Sequence, residues 1–477
     1  MIKIISKYRN SFIAVILIAV FILLFSFASY KQKGNLSASI IDSEILLSGG
    51  ETTVFDQSVN AFALPAPNLS SQDELLFFVG NSFFNQNWVQ APSSTTARDG
   101  LGPYFNAKSC SGCHFKDGRG QPPTVAAQLS QGFILRLSIP GKGDHGEPLD
   151  DPNYGGQFQD HAIDGLKREG NFELVWEEIK GNYSDGSTYS LRKPLINFSD
   201  LNYGEMQDDM MYSARVAPQM IGLGLLEAIP ENTIISYADP ADKNGDGISG
   251  KPNYVWNNIE QKVQLGKFGW KANQPTILQQ ISGAFSGDMG ISTHYFPSQN
   301  VASSQKQYSE MANGGDPEID ADDLKKLHLY SSTLAVPARR NVDDKNVIKG
   351  EKIFAEIGCD NCHIQKIQTG IHPEFSILSN QTITPYTDLL LHDMGDGLAD
   401  GRPDFEATGQ EWRTPPLWGI GLFQTVNKHT FYLHDGRARN LSEAILWHGG
   451  EAENAKNKYK QLTQKERDQL IAFLESL

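Results

Sequence analysis

The sequence predicts a mainly α-helical protein built as two related small domains, with long loops and an insertion in the first. Three observations predict it. Capping signals followed by apolar residues at helical spacing stand near residues 71–79 and 463–477. A five-residue cysteine–histidine motif occurs twice, about 250 residues apart. A second pair of segments repeats downstream of each copy: Arg215-Val-Ala-Pro218 before Gly222-Leu-Gly224-Leu225, and Arg413-Thr-Pro-Pro416 before Gly419-Ile-Gly421-Leu422.

At 477 residues the chain exceeds the usual length of one domain, and its 44 Gly and 23 Pro announce many loops. A net charge of −15 excludes the broad positive footprint that nucleic-acid binding needs. Four cysteines are too few for a disulfide scaffold.

The first 30 residues read as a targeting segment. Lys3, Lys7 and Arg9 precede an uncharged run from Ser11 to Tyr30, and Ser26-Phe27-Ala28 offers small residues for cleavage. The run is also nearly long enough to span a bilayer, so residues 1–30 are a signal peptide or a membrane anchor. Any membrane contact rests on this segment alone. Residues 31–69 lack apolar periodicity and read as a tether. Ser71-Gln-Asp-Glu74 looks like a capping box, and the helix it opens starts the fold. The expected division is an N-terminal domain over 70–340, with insertions, and a C-terminal domain over 341–477.

Cys110-Ser-Gly-Cys113-His114 and Cys359-Asp-Asn-Cys362-His363 are both C-x-x-C-H, and together they use every cysteine. The pattern suits covalent haem c: two thioethers to one porphyrin, with the adjacent His reaching its iron from the same turn. A thioredoxin-like C-x-x-C needs no His beside it. A zinc site built from both pairs would leave each following His unexplained. Attachment of this kind occurs outside the cytoplasm, in agreement with an exported, periplasmic protein.

Gly350 and Phe354 precede the second motif on a helical pattern. Thr463-Gln-Lys-Glu466 opens a terminal helix with Leu470, Ile471, Leu474 and Leu477 on one face. Such a pair of helices around a haem motif looks like the cytochrome c fold. Gly80 and Phe84 echo Gly350 and Phe354 ahead of the first motif. From His114 to Arg215 is 101 residues and from His363 to Arg413 is 50, so the first half carries the insertion, placed in the Gly- and Asp-rich stretch 141–190.

The chain resembles the di-haem oxidoreductase family, related to bacterial di-haem cytochrome c peroxidases. The residues that carry the likeness are Gly100–Asn106, Cys113–Gly120, Gly222–Pro230, Phe268–Lys271, Leu391–Gly395, Arg413–Gly419 and Tyr432–Arg437. The resemblance implies an exported redox enzyme whose two haems divide the work. One takes electrons from a small donor protein or cytochrome, and the other meets peroxide or a related oxidant.

The division turns on the sixth iron ligand. In the relatives, a ligand of the C-terminal haem follows fourteen residues after the His of a Tyr-Phe-His-Asp-Gly run. Here Tyr432-Leu-His434-Asp-Gly436 places His448 at that distance, where the relatives have Met or Tyr. Met394 is a rival ligand, Met289 a weaker one. No His follows His114 before His145, which makes the first haem the candidate for an open iron. Glu227 is the candidate acid for moving a proton, with Gln219 as a polar partner. The Trp between the haems of the relatives has no match in register, and Trp256 and Trp270 are its unplaced candidates.

Asp242-Lys-Asn244-Gly-Asp246-Gly247 opens like a calcium loop, although Asn253 stands at the twelfth position where an EF-hand has Glu. The expectation is two haem c and a candidate Ca²⁺. The expected function is an oxidoreductase that passes electrons through the C-terminal haem to a reactive N-terminal haem. A non-enzymatic electron carrier and a haem oxidase or oxygenase are the rival readings.

Overall fold

The computed structural model describes residues 45–123 and 132–477, so the targeting segment lies outside the described residues. Among the described residues no helix is long and apolar enough to cross a membrane. Leu46–Leu477 forms one compact unit. That unit takes in much of the expected tether. Thr53 and Val54 pair in parallel with Val336 and Pro337, and Ala61 and Phe62 are fully buried. The apolar residues of this stretch serve an irregular path, so they leave no period to read.

The fold is a mixture of helices and many small sheets rather than mainly α. Helix α1 (Ser71–Asn85) is capped by Ser70, one residue earlier than expected, whose side chain accepts from the Asp73 N–H. It leads to the short helix α2 (Cys110–Cys113) at the first motif. Most of the strand content comes from the first half. Strand β1 (Phe133–Lys142) and strand β4 (Met211–Val216) pair antiparallel, Phe133 opposite Val216. Between them lies a hairpin of β2 (Asn171–Asn182) and β3 (Thr188–Ser199). Its pairs Phe172–Phe198 and Leu174–Ile196 face inward, while Glu173–Asn197 and Val175–Leu195 face out. This period of two, beneath a composition that reads as loop, makes the insertion a β-ribbon.

Helices α3 (Leu223–Glu227), α4 (Ile277–Met289) and α5 (Ala321–Ser332) complete the first half. The second half opens with α6 (Lys345–Glu356), continues through the two-stranded ladder of β5 (Leu391–Asp393) and β6 (Glu411–Arg413), and ends in α7 (Leu441–Trp447), α8 (Glu453–Gln461) and α9 (Gln464–Ser476). The capping box expected at Thr463 and Glu466 is present in both directions. The acidic pairs at 322–323 and 343–344 sit at helix starts, where Asp320 caps α5 and Asp344 caps α6.

One arrangement occurs twice. Where α6 meets α9, a Cβ on Gly350 would stand 1.9 Å from the Gln469 carbonyl, so only glycine admits this approach. Phe354 packs edge-on against Phe473, with ring centroids 5.2 Å apart. Where α1 meets α5, a Cβ on Gly80 would stand 2.3 Å from the Lys326 carbonyl, and Phe84 packs on Tyr330 at 5.2 Å. Each phenylalanine also reaches its motif histidine: Phe84 to His114 at 6.3 Å, and Phe354 to His363 at 6.1 Å.

The hairpin ties the halves together. The Tyr183 hydroxyl meets Ser442 at 2.9 Å, Arg467 pairs with Asp185 at 2.8 Å, and Arg439 pairs with Glu178 at 3.0 Å. It therefore braces α7, the helix that ends at His448.

Candidate haem sites

Each C-x-x-C-H segment lines a cavity, of about 440 Å³ at the first motif and about 310 Å³ at the second. All four cysteines are free. Burial pushes the Cys110 and Cys359 thiols up to about 12 and raises Cys113 and Cys362 as well. A redox-active cysteine has the opposite, a lowered pKa. Protonated thiols on apolar walls suit residues destined for thioether bonds.

The motif histidines share one geometry. His114 Nδ1–H donates to the Pro218 carbonyl at 2.7 Å, and His363 Nδ1–H donates to the Tyr386 carbonyl at 2.9 Å. That fixes the tautomer and leaves Nε2 for a metal. Burial holds both rings neutral, His363 down to about 4 and His114 also lowered. Free thiols, an oriented neutral imidazole and an apolar cavity fit a haem at each place.

His448 faces the same cavity as His363. It follows the last turn of α7, and its Nδ1–H donates to the Ala444 carbonyl at 2.8 Å. Among the described residues, His114, His363 and His448 are the histidines whose Nδ1–H is held by a main-chain carbonyl. Met394 and His434 also line this cavity. His434 lies flat against Trp412, ring centroids 3.5 Å apart, and burial pushes its pKa down to about 3.

The cavity at His114 has no second histidine among its described lining; Met220 and Met289 contribute thioethers there. Its carboxylates are Asp150, an exposed residue whose pKa is raised by desolvation against the pull of Arg402 and Arg136, and Asp288, whose Oδ1 accepts from the Gln157 amide at 2.9 Å. Glu227, the expected acid, lines neither cavity. Its carboxylate accepts from the Ile277 N–H at 2.8 Å, at the start of α4, and from His372 Nε2 at 3.1 Å. The sequence places it next to cavity residue Leu226 and one turn from cavity residue Leu223, but α3 turns it toward α4.

One wall serves both cavities: Gln219, Trp270, Arg413, Pro415 and Pro416 line each. The two Arg-to-Pro repeats thus converge on the space between the motifs. Trp270 Nε1–H donates to the Val216 carbonyl at 2.8 Å, and the Arg119 guanidinium lies 5.0 Å from its ring. Trp256 stacks on His145 instead, at 3.8 Å, and lines neither cavity.

His392 drew no attention in the sequence. It is buried between Asp388, 2.8 Å from Nε2, and Glu451, 2.6 Å from Nδ1, with Cys362 Sγ at 3.7 Å. Burial lowers its pKa, but the two carboxylates and Cys362 hold it well above the ordinary value. Cys362, Asp388 and His392 could between them hold a metal ion, but the motif commits Cys362 to a thioether. The Leu391–Gly395 segment contains His392, yet only its tertiary partners reveal the charge.

The Asp242–Gly247 loop is an exposed turn. Asp242 Oδ1 accepts from Gly247, Asn244 Oδ1 from Asp246 and Asp246 Oδ1 from Ile248. Asn253 leaves this loop for the core, where its amide donates to the carbonyls of Lys271 and Asp404.

Two cavities walled by C-x-x-C-H segments are the marks of a protein that carries two c-type haems. The chain belongs to the family described as "Di-haem oxidoreductase, putative peroxidase", which it matches over residues 42–477. Comparison with curated proteins and with solved structures found no match.

Proposed function

We propose that the protein is an exported di-haem c oxidoreductase of the peroxidase type, in which electrons from a donor pass by way of the His363 site to a reactive His114 site. The observation that carries the reading is an asymmetry of histidines: His363 and His448 face one cavity, whereas His114 stands without a second histidine among the described lining of the other. Family membership supports the oxidoreductase class, and the basic-then-apolar start of the sequence supports export. Bound haem would supply one-electron chemistry at both sites and peroxide cleavage where the iron keeps an open face.

The protein's own groups supply the rest. His363 and His448 would hold the haem of the electron-entry site. Trp270 and Arg413, in the common wall, lie on the way from one cavity to the other. Asp150 lines the His114 cavity, where desolvation raises its pKa against the pull of Arg402 and Arg136, and it is the acid placed to deliver a proton.

Electron paramagnetic resonance of the oxidised protein, followed by hydrogen peroxide turnover with a reduced donor cytochrome, tests the reading. One high-spin and one low-spin iron with turnover is the expected result. Met220 and Met289 favour one alternative, since a thioether on the second face of the His114 site would leave an electron carrier. Two low-spin irons and no turnover would establish that carrier.

A further inference from the structure

Buried arginines in this protein meet anions. Arg215 and Arg402 share Asp404, Arg437 binds Asp435, and Arg339 binds Glu351. Arg340 has no carboxylate but donates to the Glu475 and Leu477 carbonyls at the end of the terminal helix. Two others have neither. Arg119 is 5% exposed; one nitrogen donates to the Leu433 carbonyl, and Nε is buried without a partner. Arg413 is 7% exposed, with Nε on the Gly269 carbonyl at 2.8 Å and Nη1 on the Thr414 carbonyl at 3.2 Å. Among the described residues neither has a carboxylate in ion-pair range. Asp435 is committed to Arg437, and Asp388 to His392. Burial lowers each guanidinium only to about 10, so both remain charged at neutral pH. An uncompensated charge at this depth is strongly destabilising.

Both face a cavity. Arg119 lines the His363 cavity although it follows the first motif by only five residues, and Arg413 lines both cavities. Haem brings the missing anions, since each porphyrin carries two propionates. We propose that Arg119 and Arg413 are haem-propionate anchors, Arg119 for the haem of His363 and Arg413 for a propionate at the wall between the sites. The first motif's own loop would then hold the second motif's cofactor, and binding at one site would order the other. The inference rests on haem binding and not on peroxide chemistry.

The test is a redox titration of the haem-loaded full chain, without peroxide, comparing Arg119→Leu and Arg413→Leu with the unaltered protein. A nearby cation favours the reduced haem, so its loss lowers the midpoint. The expected shift is a tenfold change in the oxidised-to-reduced ratio at fixed potential, or 59 mV for a one-electron couple. It should appear at the His363 haem for Arg119→Leu and at one or both haems for Arg413→Leu, while Arg→Lys variants stay within threefold. Midpoints that do not move in a leucine variant overturn the assignment for that arginine. If a leucine variant does not load haem, the resonance Raman propionate bending band of the lysine variant decides. A shifted band supports the contact and an unmoved band overturns it. Absence of peroxidase turnover would leave all these outcomes unchanged.

Discussion

His363 and His448 face a single cavity from opposite ends of the C-terminal half, each with Nδ1–H on a main-chain carbonyl, from Tyr386 at 2.9 Å and Ala444 at 2.8 Å. An imidazole held in this way presents Nε2 in a fixed direction and carries no charge. Replacing His448 with Ala should convert the low-spin ferric signal to high spin while the pyridine haemochrome still reports two haems per chain. An unchanged low-spin signal would pass the role to Met394 or His434, which line the same cavity.

Trp270 makes a second prediction because it is the aromatic residue on the common wall. Trp270→Phe keeps a ring beside Arg119 but loses the 2.8 Å bond to the Val216 carbonyl, at about 1 kcal/mol of stability. If electrons cross here, stopped-flow traces should show transfer between the sites slowed about tenfold, equivalent to about 1.4 kcal/mol of barrier. Haem content should stay at two. Unaltered transfer would move the route to the Gln219 and Pro415–Pro416 side of the wall.

Asp404 binds the halves of the chain together. It accepts from Arg215 at 3.1 Å, in the first half, and from Arg402 at 3.2 Å, in the second, and all three are buried. Asp404→Ala would leave two guanidinium groups without their anion, which costs about 3–5 kcal/mol. Chemical denaturation should show that loss, and Asp404→Asn should recover only part of it.

These relationships were unequally visible in the sequence. The C-x-x-C-H segments need only five consecutive residues, so their chemistry is written locally. Gly80 with Phe84 and Gly350 with Phe354 were visible as a repeated spacing, and the packing explains them, since each glycine admits a crossing helix. His448 is read from its distance to His434, and the short, well-capped helix before it brings it to the cavity of His363. Glu227 stands outside both cavities because the direction of a side chain on a one-turn helix depends on what packs around it. The hairpin was hidden by composition: the Gly- and Asp-rich stretch 141–190 reads as loop, and the β-ribbon pairing lies in the alternation beneath it. His392 and Arg413 carry meaning only through partners, or the lack of them, far away in the chain.

Asp117 gives a prediction for pH. It is buried three residues after His114, where the Tyr330 hydroxyl donates to its Oδ1. Burial raises its pKa from 3.8 to about 7, opposed by that hydrogen bond and by Lys116. Between those values the folded protein keeps a proton that the unfolded chain releases. The stabilising contribution is therefore complete below pH 3.8 and is lost as pH rises through 7, at a slope of up to about 1.4 kcal/mol per pH unit. Asn at this position cannot ionise, still accepts from Tyr330 and tolerates the left-handed backbone, where φ is 59°. Asp117→Asn should consequently flatten the fall in Tm between pH 4 and 7 and leave the variant more stable than the parent at pH 8. Parallel Tm curves for the two proteins would mean that Asp117 stays ionised in the fold, with Tyr330 and Lys116 outweighing its burial.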